Sequence, residues 1–134
     1  MDATDVPESL RVIFFPFRWD KHTLWKLPTP AQSLAADSVV WHLDLSVWST
    51  HPPNPLFNLR PRNVIEQPEL YPEHWVCIQN ADTAFPIEMF RHNGRWVIMD
   101  GYHRLARQFI MGASTISVRM HPSELLPLVR VNAK

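Results

Sequence analysis

Hydrophobic and polar positions are most clearly patterned in the last third of the chain. Residues 86–90 read as a short strand, Arg91-His92-Asn93-Gly94 supplies a hairpin turn with the favoured Asn-Gly pair, and residues 95–99 read as the returning strand. Asp100-Gly101 breaks that run, and a helix follows from about Tyr102 to Met111. Leu105, Ala106, Phe109 and Ile110 recur at helical spacing there and define one buried face. Gly112 stands where a helix C-terminal glycine belongs, and residues 114–120 read as a further strand. Strand, helix and strand follow one another closely enough to make a tight crossover unit.

Earlier in the chain the pattern is weaker. Val40, His42, Asp44 and Ser46 alternate with Trp41, Leu43, Leu45 and Val47, which predicts a half-buried strand over residues 39–48. His42 and Asp44 then share one face, where they either line a common site or make structural hydrogen bonds. Residues 11–17 read as a strand that Pro16 confines to a sheet edge. Ten of the thirteen prolines precede residue 85, whereas Gly94, Gly101 and Gly112 all fall in the last third. The first half therefore reads as extended pieces and proline-set turns. A proline-rich loop over 49–62 leads into a short helix over 62–67, stopped by Pro68. A longer helix starts at Pro72, a suitable first helical position, and runs to about Ala81.

At 134 residues the chain is sized for one domain. Thirteen Lys and Arg balance thirteen Asp and Glu, so the basic excess of a generic duplex-binding protein is missing and nucleic acid is a disfavoured partner. Neutrality also leaves little repulsion against self-association, which is compatible with a homo-oligomer. The opening residues are acidic and no apolar run spans a bilayer, so the expectation is a cytoplasmic protein with no membrane partner. Cys77, the single cysteine, lies within Trp75-Val76-Cys77-Ile78 and reads as a small buried hydrophobe. Seven histidines are scattered without metal-ligand spacing. Six tryptophans supply either core area or a stacking platform for a base.

The chemistry-bearing segment is Val97-Ile98-Met99-Asp100-Gly101-Tyr102-His103-Arg104-Leu105-Ala106. It sets a carboxylate at a strand end, then a glycine, then two potential cations in the first turn of a helix. Orphan N–H groups and the positive dipole end make a helix start a natural anion site. Gly101 puts no Cβ between backbone and ligand, Arg104 can grip phosphate bidentately, and His103 can donate a hydrogen bond or shuttle a proton. Cations are locally unfavourable at this end, so the placement calls for a compensating anion. The competing explanation is that Asp100 simply pairs with Arg104.

Residues 86–120, centred on Asp100-Gly101-Tyr102-His103-Arg104, resemble the ParB/sulfiredoxin superfamily, also called the ParB-like nuclease domain. There a strand hairpin leads into a Gly-x-His/Arg-Arg helix start and then a strand. Leu59-Arg60-Pro61-Arg62 is similar to the Gln-Pro-Arg box after the family's first strand. The resemblance implies an α+β fold, a single compact domain with a small mixed sheet and helices packed on it. That domain covers residues 39–122, with 1–38 an N-terminal extension packing on the core and 123–134 a C-terminal tail. It also implies a site for ATP, ADP or CTP, with phosphate held by Gly101, Tyr102, His103 and Arg104, and with Arg60 and Arg62 closing over the nucleotide.

Departures from the family's branches narrow the activity. Sulfiredoxins place a catalytic cysteine where Tyr102 stands, and partition proteins continue into a helix-turn-helix module, whereas fourteen residues follow Met120. The free-serine-kinase branch uses Asp-Gly-His-His-Arg, which differs at one position and is the nearest match. By that resemblance the expectation is a nucleotide-dependent phosphotransferase acting on a small hydroxyl compound, with a nucleotide hydrolase as the other enzymatic option. Asp100 would hold Mg²⁺ or accept the hydroxyl proton, and His103 and Arg104 would neutralise phosphate. Asp44 is the available second catalytic carboxylate, with Glu66 and Glu88 as weaker candidates. The alternative is a non-catalytic nucleotide-binding or regulatory module. A nucleic-acid-processing role stands third.

Overall fold

Asn93 and Gly94 take positive φ values of 52° and 81°, the two-residue turn whose twist matches paired strands. They close β2 (Ile87–His92) on β3 (Arg95–Asp100) as the hairpin expected from sequence. The computed structural model describes residues 8–11, 15, 17–53 and 56–131. Four strands form one mixed sheet in the order β1-β4-β2-β3, with β1 (Gln32–Ala35) antiparallel to β4 (Thr115–Met120) and β4 parallel to β2. Helices α1 (Glu8–Arg11), α2 (Lys21–Trp25), α3 (Pro61–Glu66), α4 (Pro72–Gln79), α5 (Tyr102–Ile110) and α6 (Leu126–Val129) complete the described regular elements, together with short 3₁₀ turns. The fold is α+β in a single domain.

The hairpin leaves β3 at the sheet edge, so the chain returns through α5 and enters beside β2, not beside β3. Both faces of the sheet are covered. Ile87, Met89, Ile98, Ile116 and Val118 meet Leu105 and Ala106 of α5, with Val64 of α3 and Ile78 of α4. On the other face Phe90, Val97 and Met99 meet Phe15, Leu24, Leu27 and Val129. Burial on two faces explains why β2 opens with four successive buried residues instead of an alternating pattern. Pro61 and Pro72 each take an early position of their helix, where a missing N–H costs nothing.

Several sequence expectations are corrected. Residues 40–44 are not part of a strand: Val40–Asp44 is a 3₁₀ helix that buries His42 and Leu43. The cause is tertiary. His42 Nδ1 donates to the Val39 carbonyl (2.7 Å), and its Nε2 accepts from the Ile98 N–H (3.1 Å). One side chain thus closes the turn and satisfies a backbone donor of the edge strand, so period-two alternation loses to a ring that bridges two elements. His42 and Asp44 consequently share no face: the first is buried and the second exposed.

On α5, Leu105 and Ala106 are buried as expected, but Phe109 and Ile110 are 37% and 45% exposed. The helix end rises off the core, and Phe109 lies instead under the Arg62 guanidinium, 5.1 Å away. Cys77 is exposed, not buried, because α4 packs through His74 and Ile78, four residues apart, which turns position 77 outward. Most of the strand expected over 11–17 lies outside the described residues. Arg11 ends α1, and Phe15 packs edge-on against Phe90.

Candidate functional site

β3 ends on Asp100, and the turn into α5 opens on a cleft of about 930 Å³. Its walls are largely apolar, with Trp25, Val47, Trp48, Val76, Phe85 and Met99 contributing. Asp82, Asp100, His103 and Arg104 are among the polar groups that reach it. Gly101, Tyr102, His103 and Arg104 all line this cavity.

Their interactions differ from the expected ones. Arg104 Nη2 donates to Asp100 Oδ2 (2.9 Å), and Nη1 donates to the Pro86 carbonyl (2.7 Å). The same Oδ2 accepts the indole N–H of Trp25 (3.0 Å). The anion that offsets a cation in the first turn of α5 is thus Asp100 itself, four residues back. Gly101 has φ +124°, and a Cβ there would stand 3.1 and 3.2 Å from the γ-carbons of Ile87 and 3.3 Å from Arg104 Nη2. The glycine is demanded by packing against β2 and Arg104. The Tyr102 ring belongs to the core cluster, and burial raises its hydroxyl pKa. Its side chain is therefore a packing element beside the cleft.

His103 lies beside Trp48 and His74. Both imidazoles stack on the indole, with centroids at 4.3 and 4.6 Å, and the two are 5.5 Å apart. At that separation they lie side by side on one face of Trp48. His74 Nε2 is 2.8 Å from the Ser49 carbonyl oxygen, and His74 Nδ1 is 3.3 Å from His103 Nε2. Burial, reinforced by His74, pushes the His103 pKa down to about 4. His103 is neutral at physiological pH, and the phosphate-neutralising charge expected of it is absent.

Asp44, Arg60 and Arg62 form a separate cluster. Arg62 Nε donates to Asp44 Oδ1 at 2.7 Å, and Arg60 Nη1 lies 3.9 Å from the same oxygen. None of the three lines the cleft, so the structure does not bring the second carboxylate or the closing arginines to the α5 start. Burial of His42 similarly pushes its pKa down to about 4, and its two hydrogen bonds are structural. Glu88 reaches the cleft but is clasped by Arg119, through Nε and Nη2 at 2.8 and 3.0 Å, and by His121 at 2.7 Å. Arg119 also donates to the carbonyls of Leu24 and Leu27, which fastens the segment bearing Trp25 to the sheet.

Sequence reasoning passed over His74 and Asp82 as site residues, and it raised Trp25 and Trp48 only among six tryptophans that supply core area or a stacking platform. Trp25 is 75 positions from its partner Asp100, and His74 is 29 from His103, so no local spacing announces either pair. Among the described residues no group of three or more His, Cys, Asp or Glu could hold a metal ion. Comparison with protein-family models, curated proteins and solved structures gives no match.

Proposed function

We propose that the cleft is a nucleotide site of the ParB-like kind, with phosphate over the start of α5 and the base against the aromatic walls. The observation that carries this reading is the N-terminus of α5, which no side chain caps and whose first turn lines the cleft. Backbone N–H groups in such a turn are ready phosphate donors. Trp25 and Phe85, 49% and 61% exposed, offer faces on which a base stacks.

Both arginines of the cleft are already paired, Arg104 with Asp100 and Arg119 with Glu88. Offsetting charge for phosphate therefore comes from the helix start and from Mg²⁺ carried on the nucleotide, for which Asp100 keeps Oδ1. With Asp44 remote from the cleft and His103 neutral, the arrangement favours binding over turnover. Phosphotransfer to a small hydroxyl compound is the second reading, and Asp82 at the cleft is the observation that supports it.

Calorimetric titration of ADP, ATP and CTP, each with and without Mg²⁺, tests the reading on wild type and Asp100→Asn. A binder holds nucleotide in both and turns over in neither. Turnover in wild type that Asp100→Asn abolishes establishes the transferase instead. Absence of binding by every nucleotide overturns both.

A further inference from the structure

We propose that His103 Nδ1 is the cleft's hydrogen-bond acceptor for a ligand hydroxyl, and that His74 is the positioning residue that fixes this role. This rests on reading the cleft as a ligand site, and it assigns His103 the opposite polarity from a phosphate-binding cation.

The argument follows proton positions outward from the core. A carbonyl oxygen only accepts, so the 2.8 Å contact with Ser49 places a proton on His74 Nε2. Assigning His74 Nδ1 the acceptor role in the 3.3 Å contact puts the proton of His103 on its own Nε2. Neutral His103 is left with a lone pair on Nδ1. That atom has no hydrogen-bond partner among the described residues. No buried side-chain nitrogen or oxygen there is left without a partner either, so solvent reaches it. Since His103 lines the cleft, Nδ1 is an acceptor offered to whatever enters.

Trp48 holds this arrangement in register. With both imidazoles flat on one indole face, neither ring rotates without losing stacking area. The lone pair repels a phosphate oxygen and attracts an O–H. The hydroxyl has two possible sources, the ribose of a nucleotide or a second small hydroxyl compound, and their chemistry at Nδ1 is the same.

The test uses the full chain labelled with ¹⁵N-histidine, so that each ring nitrogen reports its own protonation. Ligand-free protein is expected to show His103 with bare Nδ1 and protonated Nε2. A protonated Nδ1 overturns the proposal without any variant. Ligands then separate the sources. If the ribose supplies the hydroxyl, ADP shifts the Nδ1 resonance, while 2′,3′-dideoxy-ADP does not and binds about tenfold more weakly. If a second compound supplies it, both nucleotides leave Nδ1 unmoved and glycerol shifts it. No shift with any of these overturns the proposal. Failure of ADP to bind sinks the nucleotide reading alone, because the tautomer and the glycerol titration still decide this one. His74→Phe is expected to keep the stack but release the tautomer. His74→Asn, which keeps an acceptor near the position of Nδ1, is expected to restore it.

Discussion

Trp25 and Asp100, 75 positions apart, are joined by an indole N–H to carboxylate hydrogen bond of 3.0 Å. That contact makes the N-terminal segment a wall of the cleft and not merely a cover for the sheet. Asp100 Oδ2 answers to two donors, Trp25 and Arg104, so the carboxylate is oriented before any ligand arrives. Trp25→Phe keeps the aromatic wall and removes the donor. Hydrogen bonds to charged groups contribute roughly 1.5–3 kcal/mol, and half-exposure of Trp25 places this one at the low end. Urea unfolding is expected to show a loss of about 1.5 kcal/mol, and a variant as stable as wild type contradicts the contact.

The clasp beneath that wall is stronger. Glu88 is 3% exposed and serves both Arg119 and His121. Glu88→Ala leaves a guanidinium with no counter-charge in the interior, a loss that typically costs about 3–5 kcal/mol. Chemical denaturation is expected to register it, and hydrogen exchange is expected to accelerate first at Leu24 and Leu27. Unchanged protection at those two positions would show that the segment is held by packing alone.

Two glycines of the hairpin-to-helix region separate strain from packing. Gly94 has φ +81° with nothing near the position of a Cβ, whereas Gly101 at φ +124° faces Ile87 and Arg104 at 3.1–3.3 Å. Gly94→Ala is expected to cost about 1 kcal/mol, the conformational share alone. Gly101→Ala adds the collision and is expected to cost at least about 1 kcal/mol more. Equal thermal destabilisation of the two variants would show that Ile87 and Arg104 yield freely.

Acid should destabilise the fold through its buried imidazoles. His42 and His103 both have folded pKa values pushed down to about 4 from an ordinary 6.5. Between those values the unfolded chain binds protons that the folded chain refuses. Their contribution is therefore fully present above pH 6.5 and is lost as pH falls toward 4. At 1.36 kcal/mol per pKa unit the loss is about 3 kcal/mol for each at most, with the larger share from His42, which has no exposed surface. Denaturation midpoints measured from pH 7.5 to 4.5 are expected to fall throughout. A flat profile through that window would contradict the burial of both rings.

What was legible in the sequence was local. Asn93-Gly94 dictates its own turn, Pro61 and Pro72 mark their own helix starts, and Leu105 with Ala106 shows which side of α5 is buried. Illegible features were those decided by partners far along the chain. The alternation over 39–48 reads as a strand until Ile98 supplies the donor that His42 accepts. Ser33 and Leu34 carry no strand pattern of their own and become β1 by pairing with Ser117 and Ile116. Asp44 was a reasonable candidate for catalysis on a strand face, and the 3₁₀ turn sent it to Arg62 instead.

The measurement that bears most directly on the central claim is thermal stability against ADP, ATP and CTP, each with and without Mg²⁺. Ligand at 100 times its dissociation constant stabilises a fold by about 2.7 kcal/mol, which for a domain of this size is a shift of roughly 5–15 °C. The account predicts such a shift with at least one nucleotide, larger with Mg²⁺ and reduced in Asp100→Asn. An unmoved transition with every nucleotide at millimolar concentration would contradict it.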